Sequence, residues 1–149
     1  MQIQELLSPA RCLAQVEATS KKRVLELLAT TISEDIDHLN AENVFLSLVN
    51  RERLGSTGIG LGIAIPHARI THCSSPSGAL ITLSQPIEFD AIDSQPVDII
   101  FAMLVPEDSN SEHLQTLASL AAALNDEQYR YRLRAATHSR ELFDAAHFD

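Results

Sequence analysis

The sequence predicts an α/β domain in which helices cover both faces of a mixed β-sheet. Residues Val97–Val105 are apolar almost throughout, as expected of a central strand that is covered on both faces. Segments with helical periodicity precede, separate and follow the predicted strands, which favours three layers. The chain has 149 residues, 45% of them hydrophobic, and no repeat or linker divides it. We therefore expect residues 1–149 to form a single three-layer domain.

The first third of the chain predicts one strand and two helices. The weak alternation of Arg11–Val16 favours a strand, and Ser20 is a suitable N-cap for the helix that follows. The residues that follow at helical spacing are Val24, Leu27, Leu28, Thr31 and Ile32. A second helix spans Ala41–Arg53, and Gly55 suits the C′ position beyond its end. Its predicted buried face consists of Val44, Phe45, Leu48 and Val49.

The remaining elements alternate between strands and loops before three helices. Pro66 is expected to end a short strand, and Pro106 is expected to close the central one. The predicted extended segments are Gly62–Ile65, Gly78–Ser84, Pro86–Phe89 and Val97–Val105. Ser111 is a candidate N-cap for a third helix that ends at Leu124, and its predicted apolar stripe consists of Leu114, Leu117, Ala118, Ala121 and Leu124. Two shorter helices are expected near residues 127–136 and 138–147.

Composition narrows the class of function. A formal net charge of −9 argues against nucleic-acid binding, which requires a positive surface, and favours a partner with a basic docking face. Cys12 and Cys73 are far apart in the chain and predict reduced thiols in a cytoplasmic protein. Neither a signal sequence nor an apolar run of membrane-spanning length is present, so we expect no membrane insertion.

The most informative local feature is a glycine-rich window in front of a histidine. Gly55, Gly58, Gly60 and Gly62 lead through Ile63–Pro66 to His67. Glycines permit positive φ, and free N–H groups in such a loop form an anion-binding concavity. The spacing matches neither a P-loop nor a dinucleotide-binding fingerprint. We expect His67 at a strand end beside a phosphate-sized site, and the alternative is a bulged turn with an incidental surface histidine.

Two further side chains are candidates for the same site. His113 lies in the first turn of the helix that follows the central strand. Helix N-termini favour anions, and ligand sites of α/β sheets lie outside the carboxyl ends of the strands. Arg51 can offer a bidentate fork to phosphate, and its alternative is a solvated arginine paired with Glu52 or a nearby aspartate. The other histidines are expected at the surface, namely His38, His72, His138 and His147.

These residues alone leave three chemistries open. A zinc site needs three or four close ligands, and no metal-ligand spacing is present. A hydrolase would use Ser56 or Thr57 as nucleophile and His67 as base, but the sequence lacks a nucleophile elbow. A histidine that attacks phosphate needs only a fixed tautomer, N–H donors and a cation.

A long motif then points to a known family. Residues Arg51–His67, with the pattern Arg-Glu-Arg-Leu-Gly-Ser-Thr-Gly-Ile-Gly-x-Gly-Ile-Ala-Ile-Pro-His, closely resemble the active-site signature of enzyme IIA domains of the bacterial phosphoenolpyruvate phosphotransferase system. The resemblance is to the fructose/mannitol class (EIIA type 2), and most closely to its nitrogen-regulatory branch. It continues at Phe89–Asp98, Leu104–Pro106 and His113–Leu114, and so covers nearly the whole chain. Ala68-Arg69 follows the histidine where the branch usually has Gly-Lys.

The resemblance implies a fold, a site and partners. It implies a mixed sheet of about five strands, phosphorylation of His67 at Nε2, and stabilisation of the phosphoryl group by His113 and Arg51. We also predict that Ser56 and Thr57 bind the phosphoryl group. The implied activity is that of a phosphotransferase component, a carrier and regulator that needs neither cofactor nor metal. An HPr-like phosphocarrier would donate the phosphoryl group, and regulatory target proteins would respond to it.

Three alternatives remain beside this function. The first is a sugar-specific IIA subunit that passes phosphate to a separate IIB. We expect a regulatory role rather than sugar delivery because no IIB or IIC segment follows in the chain. The others are a non-covalent anion-binding regulatory module and a metallohydrolase. Docking of the donor is expected on an apolar rim formed by Ile59, Leu61, Ile63 and Ile70.

Overall fold

The computed structural model describes residues 3–109 and 112–148, and in it one mixed sheet lies between two groups of helices. The strands of this part of the chain are β1 (Cys12–Val16), β2 (Gly58–Gly60), β3 (Ile63–Ala64), β4 (His67–Ile70), β5 (Ser77–Ile87) and β6 (Val97–Pro106). The α-helices are α1 (Lys21–Asp35), α2 (Ala41–Arg53), α3 (Glu112–Leu124), α4 (Glu127–Ala135) and α5 (Ser139–Ala145). Two short 3₁₀ segments, Ile3–Leu6 and Pro9–Arg11, precede β1.

The sheet has the order β1-β5-β6-β3-β2, and β4 also pairs with β6. Strand β6 runs antiparallel to β5 and parallel to both β3 and β4. The pairings Ile63 with Ile99 and His67 with Met103 keep the same register, so β3 and β4 are two parts of one interrupted strand. Counted in this way, the sheet is the mixed sheet of about five strands that the resemblance implied.

Strand β6 is central and is covered on both faces, which confirms the prediction made from its apolar sequence. Successive side chains of a strand point to opposite faces. One set, Ile100, Ala102 and Leu104, packs with apolar residues of α1 and α2. The alternate set, Ile99, Phe101, Met103 and Val105, packs with apolar residues of α3, α4 and α5. The two cores lie on opposite sides of the sheet and give the predicted three layers.

Local sequence signals set the boundaries of the first two helices. The Ser20 hydroxyl accepts a hydrogen bond from the Arg23 N–H at 3.1 Å and caps α1 as predicted. Helix α2 has the predicted bounds. The N–H of Gly55 donates to the Glu52 carbonyl at 3.1 Å, and φ of Gly55 is +154°, in agreement with its predicted place beyond the helix end.

The predicted apolar stripe of α3 is partly wrong. Leu114 and Ala118 are exposed, and the helix instead turns Leu117, Leu120, Ala121 and Leu124 toward the core. That set also has the i, i+3, i+4, i+7 spacing, and an alanine-rich helix allows more than one such stripe. The proposed N-cap, Ser111, lies outside the described residues.

Pro66 interrupts the strand before His67 but does not end it. Its carbonyl accepts a hydrogen bond from the Met103 N–H at 2.9 Å, so pairing with β6 continues and the strand resumes at His67. Proline removes a donor from the ladder but keeps its acceptor, which the sequence prediction did not take into account. His67 is therefore the first residue of β4, and β5 likewise runs beyond the predicted Ser84 to Ile87.

Candidate functional site

A cavity of about 490 Å³ lies where the end of α2, strand β4 and the start of α3 come together. It brings three of the predicted site residues, Arg51, His67 and His113, to one place. Its lining consists of Ser47, Asn50, Arg51, Leu54, His67, Ala68, Arg69, Val105 and His113. Two guanidinium groups and two imidazoles around one cavity suit an anionic group such as phosphate.

The imidazole of His67 is held in one tautomer. Its Nδ1 lies 2.8 Å from the carbonyl oxygen of Ile65, and because a carbonyl only accepts, Nδ1 carries the proton. Nε2 therefore keeps its lone pair. The Nε–H of Arg51 donates to this atom at 3.4 Å. The basic nitrogen of His67 thus faces a cation that also lines the cavity.

The protein environment favours the neutral form of this imidazole. The side chain is half-buried, and burial lowers the pKa of His67 below its usual value of 6.5. The hydrogen bond with Ile65 opposes this shift, while the positive charge of Arg51 adds to it. At neutral pH the side chain is consequently an uncharged imidazole with an available nucleophilic nitrogen.

Arg51 is fixed at the end of α2 by a contact of its own. Its Nη1–H donates to the carbonyl oxygen of Gly55 at 2.9 Å, and the same guanidinium reaches His67. Arg51 is not paired with Glu52, which was one alternative from the sequence. The Glu52 carboxylate pairs with Lys21 instead, with 2.8 Å between Nζ and Oε2.

His113 reaches the cavity from the first turn of α3, as its position in the sequence predicted. Its Nδ1 lies 3.4 Å from the hydroxyl oxygen of Ser109, which belongs to the turn after β6. The side chain is half-buried, and His113 is close enough to His67 to contribute to the lowering of its pKa. The imidazoles of His67 and His113 therefore line the same cavity.

Ser56 and Thr57 are not brought into this cavity. The Ser56 hydroxyl donates to the Phe89 carbonyl at 2.7 Å and accepts from the Gly58 N–H at 3.0 Å. Thr57 is 4% exposed, and its hydroxyl and N–H both donate to the Glu52 carboxylate. Both hydroxyl groups therefore hold the shape of the loop, and neither residue belongs to the cavity lining.

The glycine-rich window does not form the bare anion-binding loop that the sequence suggested. Several of its N–H groups have acceptors within the protein: that of Gly58 donates to the Ser56 hydroxyl at 3.0 Å, and that of Leu61 donates to the Asp93 carboxylate at 3.0 Å. A Cβ at Gly58 would lie 2.8 Å from the Cα of Ala91, so glycine is needed there for close packing. The window serves packing and the β2–β3 hairpin, and none of its residues lines the cavity that contains His67.

The apolar rim of the site also differs from the expectation. Ile63 and Ile70 belong to the core, with 1% and 5% of their surface exposed. Ile59 and Leu61 are partly exposed but do not line the cavity. Leu54, which lines it, is 85% exposed, and Leu114, next to His113, is 59% exposed. Both leucines are exposed apolar side chains, Leu54 in the cavity lining and Leu114 next to a lining residue.

Two charged residues near the cavity were not predicted as site residues from the sequence. Arg69 lies two residues after His67 in β4, so the alternation of a strand places both side chains on one face. Glu52 follows Val44 and Leu48 at four-residue spacing and is buried with them. A charge that continues a buried stripe indicates a paired carboxylate, and this signal was available in the sequence.

Within residues 3–109 and 112–148, no three His, Cys, Asp or Glu side chains are grouped as metal ligands. In the same part of the chain, no helix has both the length and the apolar character that a membrane span requires.

The fold is that of phosphotransferase-system IIA proteins. The crystal structure of nitrogen regulatory protein IIA-Ntr from Neisseria meningitidis matches with a TM-score of 0.89 at 36% identity, covering 97% of this chain and 98% of that one. Enzyme IIA-mannitol from Escherichia coli, solved in complex with phosphorylated IIB-mannitol, matches with a TM-score of 0.76 at 19% identity and covers 94% and 96%. The second match supports the fold alone.

Sequence comparison identifies the family. The family model described as "Phosphoenolpyruvate-dependent sugar phosphotransferase system, EIIA 2" matches residues 5–146. The nitrogen regulatory protein of Pseudomonas aeruginosa is 44% identical over 143 residues, which cover 96% of this chain and 93% of the relative. The chain therefore belongs to the EIIA 2 family, and its nitrogen-regulatory relatives fit a phosphocarrier with a regulatory role. The resemblance drawn from the motif is confirmed.

Proposed function

We propose that this protein accepts a phosphoryl group on Nε2 of His67 from an HPr-like phosphocarrier and regulates target proteins through its phosphorylation state. One observation carries the proposal above all. The Ile65 carbonyl holds Nδ1 of His67 at 2.8 Å, which leaves the Nε2 lone pair beside Arg51 in a cavity that His113 also lines. Membership of the EIIA 2 family and the nitrogen-regulatory relatives support the same role.

The transfer step follows from the state of the imidazole. Nε2 of His67 attacks phosphorus, the N–P bond of the donor's phosphohistidine breaks, and the electron pair of that bond returns to the donor imidazole. The proton on Nδ1 of His67 stays in place, and its hydrogen bond to Ile65 stabilises the positive charge that the phosphorylated ring gains. The lowered pKa of His67 keeps the acceptor neutral before the attack.

Arg51 and His113 are proposed to stabilise the transferred group. The guanidinium of Arg51 is already within 3.4 Å of the attacking nitrogen and offers N–H donors to phosphoryl oxygens. His113 lines the same cavity from the opposing element and can donate from an imidazole nitrogen. Arg69 adds a second positive charge to the lining. We leave Ser56 and Thr57 out of the phosphoryl-binding set because their hydroxyl groups have other partners.

The donor is proposed to dock around the cavity. The exposed leucines Leu54 and Leu114 offer a small apolar surface, and the net charge of −9 favours a partner with a basic face. Both suit a weak and quickly broken contact. We place this exchange in the cytoplasm, in keeping with the free thiols of Cys12 and Cys73.

Intact-mass spectrometry tests the function directly. The protein is incubated with phosphoenolpyruvate and the general phosphorelay proteins, including the HPr-like donor. The wild-type chain should gain one phosphoryl unit that is lost in acid, and His67→Ala should gain none. His72→Ala is the matched control, because His72 is an exposed histidine in the turn after β4, and it should be modified like the wild type. A wild-type chain that gains no phosphoryl unit would contradict the proposal.

A further inference from the structure

We propose that Glu52 is a positioning residue for His67 and acts on it through Thr57 and Ile65 along an unbroken chain of hydrogen bonds. The proposal rests on the proposed function, in which His67 is the phosphoryl acceptor. Glu52 does not line the cavity. Its charge acts directly on the imidazole by opposing the lowering of the pKa of His67, whereas its effect on the tautomer would pass through the backbone that holds the imidazole.

The first part of the chain joins the end of α2 to the glycine-rich window. The carboxylate of Glu52 is buried, and both of its oxygens lie 3.2 Å from the backbone nitrogen of Thr57. It also accepts from the Thr57 hydroxyl. Lys21 balances its charge at 2.8 Å. A buried carboxylate is costly unless it is paired and hydrogen-bonded, and here these bonds hold Thr57 in one place.

The second part joins Thr57 to the imidazole. The Thr57 carbonyl accepts from the Ile65 N–H at 3.0 Å, and the Ile65 carbonyl accepts from Nδ1–H of His67 at 2.8 Å. Pro66 restricts the residue before it to an extended backbone, so the N–H and C=O groups of Ile65 keep a fixed relation. The position of Thr57 therefore sets the position of the carbonyl that selects the tautomer of His67.

This chain has a chemical consequence at Nε2. If the Ile65 carbonyl shifts, Nδ1–H loses its acceptor, and only the Arg51 donor at 3.4 Å from Nε2 then opposes a move of the proton to Nε2. In that tautomer the attacking nitrogen has no lone pair for phosphorus. Groups that orient a metal-ligating histidine from outside its immediate contacts typically account for about 10- to 100-fold in activity, and we expect an effect of the same size for a histidine that attacks phosphorus. A Glu52 with a purely structural role would affect stability and leave the tautomer unchanged.

The test compares the tautomer of His67 in matched variants. Glu52→Gln removes the charge, and Thr57→Val removes only the hydroxyl while keeping the shape of the side chain. Thr57→Ser restores the hydroxyl, and Glu42→Gln is a control on the exposed surface of the same helix. ¹⁵N chemical shifts of the His67 ring, measured without any donor, report the fraction of Nδ1–H. Phosphoryl transfer from the HPr-like donor is measured separately for each variant.

We expect the wild type, Thr57→Ser and Glu42→Gln to keep the Nδ1–H tautomer. Glu52→Gln and Thr57→Val should show a mixture of tautomers and transfer that is slower by about 10- to 100-fold. An unchanged tautomer in both variants would overturn the proposal, whatever their transfer rates. If Glu52→Gln does not fold, the pair Thr57→Val and Thr57→Ser decides, because both keep the Lys21–Glu52 ion pair. A wild type without phosphoryl transfer would refute the proposed function alone, since the tautomer measurement needs no donor.

Discussion

Replacing Arg51 with lysine keeps the positive charge at the site and should still slow phosphoryl transfer. The guanidinium makes two contacts at once: Nη1–H donates to the Gly55 carbonyl at 2.9 Å, and Nε–H donates to Nε2 of His67 at 3.4 Å. A lysine has one nitrogen on a flexible stem, so it cannot occupy both positions or hold two phosphoryl oxygens in one plane. Arg51→Lys therefore loses at least one oriented donor.

The size of the effect follows from the bond that is lost. A hydrogen bond to a charged group contributes about 1.5–3 kcal/mol, and about 1.4 kcal/mol corresponds to a tenfold change in rate. Loss of one donor to the phosphoryl group should thus slow Arg51→Lys by about 10- to 100-fold. Arg51→Ala loses the charge as well and should be slower, by about 100- to 1,000-fold.

Rapid-quench transfer from the phosphorylated HPr-like donor measures this effect. Arg53→Lys is the matched control, because Arg53 is an exposed arginine in the last turn of the same helix and does not line the cavity. It should transfer at the wild-type rate. If Arg51→Lys matches the wild type as well, the guanidinium geometry has no role in the reaction and the assignment of Arg51 is wrong.

Three further results are expected. His113→Ala should slow transfer by about 100- to 1,000-fold without abolishing it, while the control His72→Ala should transfer at the wild-type rate. A wild-type transfer rate and phospho-form lifetime in His113→Ala would remove His113 from the site. NMR titration with the donor should shift resonances around Leu54, His67 and Leu114. The association rate should fall as the salt concentration rises. Shifts confined to α4 and α5 would exclude this docking surface. The pKa of His67 is lower in the folded protein than in the unfolded chain, so the unfolded chain binds more protons just below pH 6.5. The free energy of unfolding should therefore fall as the pH drops through 6.5, and it should level off below the folded-state pKa. This pH dependence should be reduced in His67→Ala, and an unchanged dependence would show that another group titrates.

The fold was largely predictable because its strongest signals are local. The apolar run of β6, the serine cap of α1 and the glycine after α2 each act within a few residues, and all three hold in the structure. The stripe of α3 was harder, because two sets of residues with helical spacing exist in an alanine-rich segment. Which set is buried depends on packing against the rest of the molecule.

The site was predictable as a set of residues but not in its details. Arg51, His67 and His113 meet in one cavity, as the motif implied. The glycine-rich window was misjudged in part because one of its N–H groups has a distant partner: the Leu61 N–H donates to Asp93, which lies 32 residues away in the chain. Long-range hydrogen bonds of this kind leave no periodic signal in a sequence.

The chemical form of the phosphorylated protein tests the central claim most directly. The phospho-protein is prepared from protein carrying ¹⁵N in its histidine rings, and ³¹P–¹⁵N correlation identifies the nitrogen that bears phosphorus. We expect one phosphohistidine, at His67, with phosphorus on Nε2 and the proton on Nδ1 beside the Ile65 carbonyl. A phosphoryl group on Nδ1 of His67, on His113 or on any other side chain would contradict it.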